Sequence, residues 1–186
     1  MKPFSTLKYI AAGAHIIWAT AAFAQHSGHQ GAPTPSGYAG EQLRSIKSLS
    51  SSDVTALQAG AGMGLAKAAE LNGYPGPMHV LELKRQLKLT DQQRTAAEAL
   101  MASHKAQARA LGAQLIEAER TLDAAFALKA VDAAAVTRLT SKIGELQAML
   151  RAEHLQTHLM QTAMLTPEQI ASYQALRGYT GAAASS

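Results

Sequence analysis

Residues 89–132 read LTDQQRTAAEALMASHKAQARALGAQLIEAERTLDAAFALKAVD, and residues 133–164 continue as AAAVTRLTSKIGELQAMLRAEHLQTHLMQTAM. In the first stretch a strict 4-3 alternation selects Ala97, Met101, His104, Ala108, Leu111, Leu115, Ala118, Leu122 and Ala125. In the second it selects Val136, Leu139, Ile143, Leu146, Leu150, Glu153, Thr157, Met160 and Met164. Two helices with seams of this period pack side by side. Antiparallel partners must have residue numbers of constant sum. The pairs Ala125–Val136, Leu122–Leu139, Ala118–Ile143, Leu115–Leu146, Leu111–Leu150 and Met101–Met160 share one sum. Their common centre falls at the turn Lys129-Ala130-Val131-Asp132. The spacing therefore predicts a long antiparallel helical hairpin, with arms of roughly 50 Å at about 1.5 Å per residue.

Working outward, both ends of the hairpin carry the same five-residue pattern. Leu89-Thr90-Asp91-Gln92-Gln93 precedes the first arm, and Leu165-Thr166-Pro167-Glu168-Gln169 follows the second. Each is a capping box. The Thr hydroxyl can accept from the N3 amide while the N3 Gln reaches back to the Thr amide. Pro167 suits N1, and Asp91 and Glu168 suit the positive end of the helix dipole. Thr90, Gln93, Thr166 and Gln169 are thus expected to act as structural caps. A last helix carrying Ile170, Tyr173 and Leu176 should end at Gly178.

Before the hairpin, Ser51, Ser52 and Asp53 offer a cap to a helix interrupted by Gly60, Gly62 and Gly64. That run matches neither a P-loop nor a dinucleotide fingerprint, and no strand precedes it. Close helix packing or a kink is the expected reason for it. Ala66–Leu71 resumes the helix, Asn72-Gly73 ends it, and Tyr74-Pro75-Gly76-Pro77 turns the chain with Pro77 at N1 of a short helix. The seam is thin where Ala97, Ala108, Ala118 and Ala125 stand. Leu100, Ile116 and Phe126 widen the apolar stripe beyond one partner helix. Short flanking helices, a second copy of the chain or a client would cover it, and a homodimer is expected. The fold class is all-α, a long antiparallel hairpin with short flanking helices.

The ends are of another kind. Residues 1–24 have Lys2 and Lys8, an apolar stretch from Tyr9 to Phe23, and the small-x-small Ala22-Phe23-Ala24, the pattern of a cleaved signal peptide. An uncleaved anchor is the competing reading, but the apolar run is short and His15 interrupts it. Residues 25–50, rich in Gly, Ser, Pro, Gln and His, read as a flexible leader, 51–178 as the helical domain, and 179–186 as a disordered tail. The chain has no cysteine, hence no disulfide and no lipid-attachment thiol. Loss of Lys2 and Lys8 lowers the formal charge from +4 to +2, too small and scattered a balance for nucleic-acid binding. A periplasmic location is expected.

His154 and His158 lie four apart and share a helix face. In the hairpin register His104 pairs with residue 157, between them, and Met101 and Met160 face each other one layer away. His104, His154, His158, Met101 and Met160 are therefore the candidate metal ligands, with Glu153 nearby. Imidazole suits Zn, Ni, Co or Cu(II), and thioether favours Cu(I). Against this stand the ordinary roles of a hydrogen-bonded histidine and gap-filling methionines. Residue 155 is Leu where a zincin motif needs Glu. His26 and His29 in the leader, and His79 beside Glu82, are weaker candidates. No nucleophile stands near a base in the sequence, and no enzyme is expected.

An exported, all-helical chain with two Leu-Thr-x-x-Gln motifs resembles the Spy/CpxP family of periplasmic proteins. The stretch Asn72-Gly73-Tyr74-Pro75-Gly76-Pro77-Met78-His79 is similar to its heavy-metal resistance and sensor branch. The resemblance covers about residues 50–178. It implies an ATP-independent chaperone that holds unfolded or misfolded periplasmic proteins on an apolar helical surface. For the metal branch it implies binding or sensing of a transition ion through His, Met and carboxylate groups. A structural partner of an inner-membrane sensor is a third implication. The chaperone is the leading expectation and the metal-binding protein the alternative.

Overall fold

Thr90 sets where the longest helix starts. In the computed structural model, which describes residues 35–180, its hydroxyl accepts from the Gln93 amide at 3.1 Å, and the Gln93 side chain accepts from the Thr90 amide at 3.0 Å. The described helices are α1 Ser51–Ala59, α2 Lys67–Glu70, α3 Pro77–Glu82, α4 Asp91–Ala127, α5 Ala133–Ala163 and α6 Pro167–Leu176. All belong to the unit Tyr38–Ser186; the other unit is Met1–Gly37. Among the described residues there is no strand, only an isolated bridge between Ile46 and Leu49. The fold is all-α, a long hairpin with shorter helices beside it. The expected signal peptide, His26 and His29 lie outside the described residues.

The hairpin adopts the expected register. Thr157 Oγ1 lies 3.0 Å from His104 Nδ1, the pair that the constant sum demands. Asp132 caps α5 by accepting from the Ala135 amide at 2.7 Å. The register has one exception. Met160 is 47% exposed, while Gln161 is 1% exposed and takes the inward place. A straight helix of 3.6 residues per turn drifts by about 20° per heptad against a strict 3.5 repeat, so the 4-3 count falls a residue short near the end of α5.

The two motifs close on each other. Gln93 Nε2 donates to Gln169 Oε1 at 2.8 Å and to the Met164 carbonyl at 2.9 Å. Gln169 Nε2 donates to Gln93 Oε1 at 3.0 Å and to the Leu87 carbonyl at 3.2 Å. Each Oε1 also accepts from its own helix cap, at Thr90 and Thr166. Both amides thereby fill their two donor and two acceptor places. This clasp ties the start of α4 to the start of α6, over a small core of Val80, Leu87 and Tyr173.

Toward the loop the core is apolar: Ile46, Leu57, Leu115, Ile116, Ile143, Leu146 and Leu150. Helix α1 reaches it because Gly112 lacks a side chain; a Cβ there would stand 2.5 Å from the Leu57 carbonyl oxygen. Ser50, one residue ahead of the expected cap, forms a capping box with Asp53. The flexible leader expected over 25–50 is corrected at its end. Ile46 is 1% exposed, Ser48 Oγ donates to Glu119 Oε2 at 2.7 Å, and Lys47 Nζ reaches Asp123 at 3.3 Å. A buried isoleucine and a satisfied buried carboxylate offset the entropy that composition alone would leave unmatched.

Candidate metal centre

In the other half of the hairpin the seam turns polar and a cavity of about 510 Å³ opens between α4, α5 and the N-terminal segments. Met101, His104, His154 and His158, four of the candidate ligands, all line it. Met160 does not; it is half-exposed elsewhere on α5 and is withdrawn from the candidate ligands.

The three imidazoles are held differently. His104 places Nδ1 3.1 Å from Glu153 Oε1, so Nδ1 carries the proton and the neutral ring keeps a lone pair on Nε2. Thr157 Oγ1 lies within 3.4 Å of the same carboxylate oxygen and supports it. His158 places Nδ1 2.7 Å from the Tyr74 carbonyl oxygen, which only accepts, so the same tautomer follows. An Nδ1–H held by a carboxylate or a carbonyl is the support that metal-binding histidines use. Gly76 makes room for the His158 ring; a Cβ there would meet Cε1 and Nε2 at 2.7 Å.

His154 packs edge-on against His104, with ring centroids 4.6 Å apart. It is 4% exposed, and its Nε2 is buried with no hydrogen-bond partner. Burial, and then the neighbouring His104, push its pKa down to about 4, so the ring is neutral at neutral pH. A buried polar atom without a partner costs about 1–3 kcal/mol, which makes this nitrogen the least ordinary atom in the site.

Glu70 closes one side of the cavity. Its Oε1 accepts from Tyr173 and Tyr179, its Oε2 stands 3.7 Å from His158 Nδ1, and that Oε2 has no hydrogen bond. Burial and this carboxylate push the Tyr173 hydroxyl well above its ordinary range, so it stays a donor. Sequence reasoning missed three further wall residues, Met63, Glu70 and Met78, while the weaker candidate His79 also lines the cavity. His79 pairs with Glu82 at 2.8 Å, as its spacing implies. The signal for Met63 was the glycine run, which forms a loop after the left-handed cap at Gly60 rather than a kink within a helix. Among the described residues, no three His, Asp or Glu side chains stand ready to hold a metal ion.

A helical hairpin with a histidine- and methionine-lined cavity at its open end defines the class of protein. Residues 77–177 match the LTXXQ motif family, and the chain belongs to it. The family is in general periplasmic and non-enzymatic. Among the described residues no helix is long and apolar enough to cross a membrane. No curated protein and no solved structure is matched. The family match begins at Pro77, so α1, α2, Met63 and Glu70 lie outside it.

Proposed function

We propose that the protein is a periplasmic stress protein of the Spy/CpxP type that binds a transition-metal ion in this cavity. The observation that carries the reading is His154 Nε2, a buried and neutral imidazole nitrogen with its hydrogen-bonding capacity unspent, on a residue that lines the cavity together with His104 and His158. A metal ion would occupy that lone pair and remove the penalty of leaving it unmade. The two supported histidines offer further nitrogen donors after modest side-chain movement. Equilibrium dialysis against Ni, Co, Zn and Cu tests this. At least one ion should bind stoichiometrically, and His154→Ala with His158→Ala should abolish it. Bound metal that survives both substitutions sinks the proposal.

The holding of unfolded clients is the second reading, favoured by exposed apolar side chains along α5. Met149, Leu159 and Met160 are 48%, 54% and 47% exposed on a helix whose other face fills the core. Such a strip is the kind of surface that holds clients without nucleotide. At stoichiometric dose the protein should slow aggregation of a denatured client, and Leu159→Lys should weaken that protection. Unchanged aggregation with the unaltered protein defeats this reading and leaves the metal reading standing.

A further inference from the structure

The cavity wall contains a donor set that neither the histidine spacing nor the family match assigns. Met63, Met78 and Met101 line the same cavity as His154, with Met63 46% and Met78 48% exposed. Met63 is held there at a backbone cost. Its φ is +46°, a left-handed conformation that an unbranched non-glycine residue adopts rarely, between Gly62 and Gly64. Strain of this kind costs about 1–3 kcal/mol and gathers at ligand-binding sites. The rest of the wall is mostly apolar, with Ala59, Gly60, Ala61 and Pro77, but it also carries Lys67 and Lys105, whose charges repel a divalent ion more than a monovalent one.

We propose that the cavity selects a soft monovalent ion, Cu(I), held by His154 Nε2 and the thioethers of Met63, Met78 and Met101. This rests on the metal-binding reading above and narrows it to one class of ion. Thioether sulfur prefers Cu(I) over the borderline divalent ions that imidazole alone would take. Among the described residues no three His, Asp or Glu side chains converge on the wall, so the nitrogen, oxygen or thiolate set that zinc takes is not assembled there, whereas thioethers complete a set for Cu(I). His104 and His158 then orient and screen the site, through Glu153 and the Tyr74 carbonyl.

The methionines themselves supply the test. The purified protein, labelled with ¹³C at methionine methyl groups, is titrated with Ag(I), the redox-inert probe for Cu(I). The methyl signals of Met63, Met78 and Met101 should move together and saturate at one equivalent. Met149 and Met160, exposed and off the cavity wall, should stay in place. Equal shifts at all exposed methionines mean adventitious thioether binding and overturn the site. In parallel, Cu(I) kept reduced with ascorbate is competed against a chromogenic chelator. Replacing Met63, Met78 and Met101 by Leu preserves volume and should cost at least the roughly 10–100-fold seen when a metal site loses support. An unchanged Cu(I) affinity overturns the proposal. Stoichiometric Zn or Ni binding without Ag(I) or Cu(I) binding also overturns it, but leaves the metal-binding reading intact. Failure of every ion to bind removes both.

Discussion

The two halves of one hairpin use the same two helices in the same register and differ in what they bury. Near the loop, Leu115 and Ile116 of α4 meet Ile143, Leu146 and Leu150 of α5 beneath Leu57 of α1. Near the open end the arms bury Ala97, His104, His154, Thr157 and the inward Gln161. The first half fills its seam with apolar side chains, with a cavity of about 640 Å³ beside it against Leu57, Leu115 and Leu150. The second half lines its cavity with Met101, His104 and Lys105 of α4 and His154, Thr157 and His158 of α5, while the filled seam keeps the arms together. Stability is concentrated in one half and chemistry in the other.

The sharpest way to break that comparison is to hollow out the filled half. Leu146→Ala should cost about 2–5 kcal/mol in urea unfolding, the range for deleting a buried leucine. Leu146 is 1% exposed, so a loss well below that range would mean that the loop half is not the anchor. Metal binding by the surviving folded fraction should be unaffected.

In the open half acid should act through His154. The pKa of His154 is about 4 when folded and about 6.5 in the open chain, so the unfolded state binds more protons between those values. The contribution is complete above about pH 6.5 and is lost as pH falls toward 4, on the order of 3 kcal/mol in the metal-free protein. His104 and His158 oppose a charge on His154, and Glu153 favours it. Unfolding free energies at pH 7 and pH 4.5, compared with those of His154→Asn, isolate this contribution from the carboxylates. An identical pH dependence in the variant would refute it.

Gly112 separates propensity from packing. An alanine in mid-helix ordinarily gains about 1 kcal/mol over glycine, yet its Cβ would stand 2.5 Å from the Leu57 carbonyl oxygen. Gly112→Ala should therefore be net destabilising by about 1–3 kcal/mol, through displacement of α1. A stabilised variant would show that α1 does not rest on α4 as described.

The smallest effect tests the clasp between the motifs. Gln93→Ala and Gln169→Ala should each cost about 1 kcal/mol as lost caps. Because each side chain also bonds the other, the double-mutant cycle should show coupling of at least about 0.5 kcal/mol. Strict additivity would reduce the motifs to two independent helix starts.

Much of this was legible in the chain. The seam periods and the loop position gave the hairpin because period and connection length are local properties. Thr90, Gln93, Thr166 and Gln169 were readable as caps for the same reason. That the two glutamines bond each other was not, since each motif's spacing describes only its own turn. Met160 was misplaced because a strict 3.5 count ignores the drift of a straight helix. Met63, Glu70 and Met78 were missed because they come from three separate segments before the hairpin, and no period links them to His154.

By itself the sequence determined where α4, α5 and α6 start and which faces of the long arms meet, since caps and periods act within a turn or two. Tertiary structure alone decided what faces the polar half of that seam. The glycine loop turns Met63 toward the cavity, Gly76 admits the ring of His158, and Gly112 lets α1 settle against α4. Each of these depends on the distance between backbones far apart in the chain. The orphaned nitrogen of His154 arises in the same way, from burial by neighbours that its own helix does not contain.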